Sequence, residues 1–506
     1  MSDNSVRRVL IVGGGTAGWM CAAALSNAFR DTDMAVELAE TEAIGTVGVG
    51  EATRPHIRHF NAGLGIDEAD FIRETRATFK LAIEFCNWNR IGDSYLHPLG
   101  EYGMPAAEIE FHHLWASFVE DLNASALDAY SLPIQMARAN RFAPPHTDPN
   151  SLLSIYSYAY QFDAGRYARY LRTYAEARGV TRTEGRIQSV ARNGANGHIA
   201  SVRLEDGRVL AADFFVDCSG FSGLLIEKTL KAGCEDWTDW LPCDQALAVP
   251  CEGSKEITPY TRATAREAGW QWRIPLQHRI GNGYVYSSNH ISDDEAAATL
   301  LANLDGKPLA DPRCLRFVTD RRKQAWVKNC VALGLSSGFL EPLESTSIHL
   351  IQSGIAKLLQ MFPSTAFEQA DIDRFKARTK EEFERVRDFI ILHYNATTRD
   401  DTPFWDHCRT MPVPPGLAEK YRIFEGYGRI FRENDESVND TSWFAVMIGQ
   451  GLRPRAFDPV AECLSEDETR RRLAQIRQAM QASSDHMPTH ADFIANNCAA
   501  EMEPLS

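Results

Sequence analysis

Four consecutive apolar residues, Val9-Leu10-Ile11-Val12, stand near the start of the chain between Arg7-Arg8 and a run of glycines. An unbroken apolar run this short predicts a parallel strand buried on both faces. The small-residue stretch 19–29 then predicts a helix, and 35–39 a second strand that ends at Glu40. A helix is expected over 67–76, after which the period changes. Phe79, Leu81, Ile83 and Phe85 are apolar at every second position, so 79–85 predicts one strand with Lys80, Ala82 and Glu84 on its other face. Residues 101–150 read as irregular, rich in aromatic and proline residues, and suited to covering a site. A helix is predicted over 163–178, and strands over 187–191, 200–204 and 209–216, with Asp206-Gly207 as a hairpin turn. Residues 331–334 predict a further short strand. Ile348, Ile351, Ile355, Leu358, Leu359 and Phe362 recur at helical spacing, which predicts an amphipathic helix over 346–362. Beyond 363 the pattern is mostly helical, with charged helices near 371–391 and 466–481.

The first strand runs into Gly13-x-Gly15-x-x-Gly18, and Glu40 follows Gly18 by 22 residues. Strand, glycine turn, helix and terminal acid together form the dinucleotide fingerprint in its required context. Gly13 allows the tight turn, Gly15 lets the backbone approach a pyrophosphate, and Gly18 lets the helix pack closely. The helix N-terminus, from Thr16 and Ala17, offers amides and a positive dipole to phosphate, and Glu40 can accept from ribose hydroxyls. The small and glycine positions of 44–53, Gly48 among them, suit backbone passing close to a flat ligand. The stretch Phe214-Phe215-Val216-Asp217-Cys218-Ser219-Gly220 is again a strand entering a glycine turn. A chain that leaves its first βαβ unit and returns in this way is typical of flavoproteins. Gly281-Asn282-Gly283 and Gly449-Gln450-Gly451 lack a third glycine, so no dedicated nicotinamide domain is expected.

Composition narrows the partners. The 506 residues suggest about three units by the usual rule of roughly 150 residues each. The pattern divides them at 363, into a nucleotide-binding module with inserted β segments (1–362) and a mostly helical module (363–506). A formal charge of −15 argues against nucleic-acid or anionic-membrane binding. No targeting signal and no stretch of about 20 apolar residues is found, so a cytoplasmic protein without a membrane span is expected. The 11 cysteines form no C-x-x-C pair, and neither His56/His59 nor His486/His490 is completed by a carboxylate or thiolate. Neither a disulfide framework nor a metal site is expected.

Trp270-Gln271-Trp272-Arg273-Ile274-Pro275 sets two indoles on one side of a predicted strand. With the glycine fingerprint, Thr78-Phe79-Lys80-Leu81, Asp217-Cys218-Ser219-Gly220-Phe221 and Phe339-Leu340-Glu341-Pro342-Leu343-Glu344-Ser345-Thr346, it makes a set of motifs in one order. From about residue 9 to about 452 the chain resembles the flavin-dependent halogenases, in their tryptophan-halogenase-like branch. The resemblance implies an α/β fold, a Rossmann-like, monooxygenase-like FAD-binding flavoprotein with a helical substrate-covering module. It implies that FADH2, oxygen and chloride or bromide give hypohalous acid, which Lys80 positions or captures for attack on an electron-rich, indole-like ring. Glu344 is expected to orient that species and take the ring proton, meeting Lys80 on one side of the substrate. Gly48, Asp217, Gly220 and Leu335 join the cofactor set, and the backbone at Thr346 and Ser347 is expected to hold the halide. Ser347 stands where the tryptophan halogenases have Gly. Ser345 also reads as an ordinary helix N-cap.

By the resemblance, Trp270 and Trp272 are expected to separate substrate from flavin, with Ile274 and Pro275 beside them in the substrate tunnel and a separate flavin reductase supplying FADH2. The pair Trp443-Phe444 stands where two tyrosines hold the amino-acid group of tryptophan in the family, and Leu99, near His97, where a phenylalanine stacks on indole. Free tryptophan is therefore expected to be a poorer substrate than indole or a larger indole or phenol. Three readings remain open at this stage: halogenase, aromatic hydroxylase (monooxygenase), and a catalytically silent flavin-binding protein. A homodimer is compatible with each.

Overall fold

The strand Arg8–Val12 lies inside a six-stranded sheet, where it pairs in parallel with Ala35–Glu40 on one side and Phe214–Asp217 on the other. Thr181–Glu184 and Cys330–Ala332 extend the sheet in parallel at its two flanks, and Trp326–Val327 closes one edge as an antiparallel strand. Val12 is in register with both Ala39 and Asp217, so the carboxyl ends of three strands open at one level. That is where open parallel sheets bind ligands. The computed structural model describes residues 4–41, 50–106, 109–118, 127–148, 151–253, 256–433 and 436–501. Gly48, expected at the cofactor, lies outside them.

A seven-stranded, mainly antiparallel sheet forms the second layer. Its order is Arg313–Arg316, Gln245–Cys251, Ile280–Tyr286, Gly269–Pro275, Tyr260–Arg266, Ala82–Cys86 and Ser94–Pro98. A small sheet of Gly50–Ala52, Ala159–Asp163 and Thr78–Lys80 stands beside it. The single strand expected over 79–85 is therefore two strands in two sheets. Leu81 is the crossing point: its amide donates to Pro259 O (2.7 Å) and its carbonyl accepts from Leu99 N (2.8 Å). Neither face of this segment is solvent-facing at Lys80, which is fully buried. The strand expected over 209–216 divides too, into Val209–Ala211 of a three-stranded meander and Phe214–Asp217 of the nucleotide sheet. Within 101–150 the structure adds helices that alternation did not reveal, Phe111–Phe118 and Leu132–Arg138, the latter with Pro133 in its first turn, where a missing N–H costs nothing.

The helix Thr346–Gln360 buries Ile348, Ile351, Ile355 and Leu358, as its spacing demands. Each such side chain contributes about 1.5–3 kcal/mol. The 27-residue helix Gln369–Asn395 buries the continuous run Val386–Tyr394. One apolar core spans both parts of the chain, with Ile372, Phe389, Trp443, Leu473 and Ile494 joining Val9, Trp19 and Phe79. Among the described residues, no helix is long and apolar enough to cross a membrane.

Candidate active site

At the nucleotide end, backbone geometry explains each glycine. Gly13 has φ +112, and a Cβ there would stand 2.2 Å from Cys218 O; a Cβ on Gly18 would stand 1.8 Å from Gly13 O. Both glycines therefore let strand, turn and helix Thr16–Ala28 pack together. Among the described residues, a Cβ on Gly15 would meet no atom within 4 Å, which leaves space above it at the helix N-terminus. Glu40 ends its strand with its carboxylate beside Gly14 and an ion pair to Arg182. These features fit a flavin dinucleotide: free amides for the phosphates and a carboxylate for a ribose. Thr16 and Ala17 open the helix, and the turn Gly334–Ser336, which carries Leu335, packs against Ala17. Gly220 has φ +70 in the neighbouring turn. Asp217 acts within its own loop: it is fully buried and accepts from Ser219 N, Ser219 Oγ, Leu225 N and Ile226 N.

The second cluster forms where the Thr78–Lys80 strand meets the start of the Thr346 helix. Lys80 Nζ donates to Thr53 O (3.0 Å) and to Ser345 Oγ (2.8 Å). Burial lowers the Lys80 ammonium from 10.5 to about 7; Glu344 opposes that fall and Arg54 adds to it. Lys80 thus reaches the residue next to Glu344, while Glu84, expected on the same strand face, pairs with Arg262. Ser345 does not cap the helix. It sits in the left-handed region (φ 56), which turns its hydroxyl away from the helix amides and toward Lys80. Such a conformation costs on the order of 1–3 kcal/mol. Among the described residues, the first amides of the helix, at Thr346 and Ser347, have no side-chain cap, and the buried Thr346 Oγ1 has no partner. An uncapped helix start next to a buried amine suits a small desolvated anion.

Glu344, 2 % exposed, turns the other way. Its Oε1 lies 3.0 Å from His97 Nδ1 and 2.9 Å from His393 Nε2. Burial alone would raise this carboxyl, but the charge of His97 and the hydrogen bonds of both imidazoles hold it well below the ordinary carboxylate range. His97 was singled out from sequence; His393 was not. Its signal was one polar residue in the run Phe389-Ile390-Ile391-Leu392-His393-Tyr394. Glu341 was also passed over as a site residue. It is fully buried and accepts from Trp270 Nε1 (2.6 Å) and Tyr394 OH (2.7 Å).

Trp270 and Trp272 are both buried, with ring centroids 6.1 Å apart, and the Trp272 N–H has no partner among the described residues. Ile274 packs beside Gly50, and Pro275 O accepts from Thr78 Oγ1 (2.7 Å), which ties this strand to the one bearing Lys80. Leu99 is half-buried two residues beyond His97, just past the end of the Ser94–Pro98 strand. On helix Asp440–Gly449, Trp443 donates to Glu436 Oε1 (2.9 Å) beneath Lys420, whose Nζ stands 4.7 Å from the ring centroid. Phe444 packs among Tyr102, His112, Trp115 and Phe424.

The family model described as tryptophan halogenase matches residues 8–466. The tryptophan 6-halogenase ThaL of Streptomyces albogriseolus is 36 % identical, over 90 % of this chain and 91 % of its own. The tryptophan 7-halogenase RebH of Lentzea aerocolonigenes is 35 % identical, over 90 % and 92 %. Among solved structures, Xcc4156, a flavin-dependent halogenase from Xanthomonas campestris, superposes with a TM-score of 0.94 at 45 % identity, covering 99 % of this chain and 100 % of that one. BrvH, a flavin-dependent halogenase from Brevundimonas sp. BAL3, gives 0.93 at 46 %, covering 98 % and 99 %. With its glycine cradle, buried lysine and uncapped helix start in one molecule, the chain belongs to the tryptophan halogenase family.

Proposed function

We propose that the protein is an FADH2-dependent halogenase of electron-rich, indole-like aromatic compounds, using chloride or bromide. The observation that carries this reading is the juxtaposition of a buried amine, Lys80, with an uncapped helix N-terminus and a buried carboxylate on one short turn. When bound, reduced flavin with oxygen supplies the oxidising power that converts halide into hypohalous acid. The amides of Thr346 and Ser347 hold the halide. Lys80, its charge weakened by burial, receives the electrophile by hydrogen bond or as a haloamine and presents it to the ring. Glu344 orients it and accepts the proton that the substituted ring carbon releases. Trp270 and Trp272 separate the ring from the flavin. A single dinucleotide site leaves flavin reduction to a separate reductase.

The pair Trp443-Phe444 extends the reading to substrate. One indole N–H is already taken by Glu436 and the phenyl ring has none to give, so neither pairs with a charged amino-acid head. Substrates without that head are favoured. Mass spectrometry of products from an aromatic panel, with FADH2 regenerated in chloride and then in bromide, tests the function. Halogen-for-hydrogen exchange that follows the halide supplied is the expected result; hydroxylation independent of halide would overturn it.

A further inference from the structure

Two buried glutamates stand three residues apart on one turn and are treated in opposite ways. Both accept two hydrogen bonds on a single oxygen. Glu341 receives neutral donors, an indole and a phenol, and burial pushes it up to about 7. Glu344 receives two imidazoles and is held low against the same burial.

The outer contacts of the imidazoles fix which nitrogens carry hydrogen. His393 Nδ1 lies 2.8 Å from Phe389 O, which can only accept, so Nδ1 is an N–H. His97 Nε2 lies 2.9 Å from Ser442 Oγ. Asn439 Oδ1 accepts from Ser442 N (2.9 Å), which fixes it as the oxygen, and it lies 2.6 Å from Ser442 Oγ. The Ser442 hydroxyl proton therefore goes to Asn439, and the serine oxygen accepts from His97. A neutral imidazole at either place would turn a bare nitrogen toward Glu344 Oε1. An ionised carboxylate has no proton to give, so two lone pairs would then face each other, and a proton on Oε1 could satisfy one such nitrogen but not two.

We propose that His97 and His393 are positioning residues that act as paired cationic N–H donors to Oε1 of Glu344, keeping it an oriented carboxylate in a site where burial alone would neutralise it. Among the described residues no donor is placed on Oε2, and that oxygen takes the ring proton. The C–H electrons return to the ring, and the proton passes to Glu344. Lys80 and Arg54 also act on Glu344 electrostatically, and burial and the charge of Glu344 keep the nearby Tyr95 phenol protonated, but the two imidazoles are its only hydrogen-bond donors among the described residues. The catalytic consequence rests on the halogenase reading; the protonation state does not.

Infrared difference spectra of the flavin-free protein at neutral pH test the two separately. Wild type minus Glu344→Gln should show an ionised carboxylate. His393→Leu minus His393→Leu/Glu344→Gln should show a protonated carboxyl, and His97→Leu the same against its own double variant. His393→Gln, which keeps an N–H donor but not the charge, should be intermediate. Halogenation by the leucine variants should fall at least about tenfold further behind wild type at pH 6 than at pH 8.5, as Glu344 regains a proton on acidification. A loss independent of pH would assign the histidines a merely structural role. If one leucine variant does not fold, the other decides on the same terms. A carboxyl protonated in wild type, or still ionised in the leucine variants, overturns the proposal whether or not the protein halogenates. The expected spectra with no halogenated product would sink the functional reading alone.

Discussion

At the nucleotide end the chain works by leaving side chains out: Gly13 and Gly18 let backbone touch backbone, and Gly15 keeps a space open. One contiguous βαβ unit, Arg8–Glu40, carries all three glycines and the acid. The cluster around Lys80 and Glu344 works by burying groups that would rather be in water. Lys80, Glu344, Glu341 and His393 are each 2 % exposed or less, and the cluster draws on segments near residues 53, 80, 97, 344 and 393. The first design tolerates little added volume but needs no unusual ionisation. The second depends on each charge having its partner, because an unpaired buried charge is among the costliest features a fold can carry.

The sharpest way to break the first half of this contrast is Gly15→Val. Its Cβ meets no atom of the described residues within 4 Å, so the fold should be unchanged while flavin binding, followed by fluorescence, is abolished. Normal binding would move the cofactor elsewhere. At the other end, Glu344→Gln keeps the shape but removes the carboxylate charge and disturbs both imidazoles. Halogenation rate should fall by about a hundredfold with flavin binding intact. A smaller effect concerns Lys80 and pH. The unfolded chain holds a proton on Lys80 up to about 10, whereas the folded chain releases it near 7. Across that window the unfolded state binds more protons, so this residue makes stability rise with pH. Lys80→Met removes the effect, and its urea midpoint relative to wild type should be more favourable at pH 6 than at pH 9.5. An equal difference at both would mean that the ammonium is not desolvated. The smallest expected effect is on substrate choice. Indole should exceed free tryptophan in kcat/KM by roughly tenfold, the order expected for one unpaired polar group of about 1–3 kcal/mol. A clear preference for tryptophan would mean that groups other than Trp443 and Phe444 hold its charged head.

The same division decides what could be read without coordinates. The glycine turn, Glu40 and the first two strands follow from contiguous spacing, and the Thr346 helix from its period. Lys80 and Glu344 were legible only through the motifs around them, because neither alternation nor helical period tells a buried lysine from an exposed one. The break at Leu81 was hidden because the apolar alternation of Phe79, Leu81, Ile83 and Phe85 continues across it while the hydrogen-bond partners change. Ser345 looked like a cap because serine before a helix usually is one; its left-handed backbone sends the hydroxyl to Lys80 instead. The link from Glu344 to His393 crosses 49 residues and a 27-residue helix, and no local pattern reports it.

The central claim is that Lys80 carries the electrophile from where it is made to where it is used. It is tested most directly by supplying reduced FAD, oxygen and bromide to Lys80→Ala in a single turnover, with a soluble thioether present to trap escaped hypobromous acid. The account predicts flavin reoxidation at the wild-type rate, an oxidised trap, and brominated aromatic product reduced by at least about a hundredfold. Product close to the wild-type yield, with the trap untouched, would contradict it.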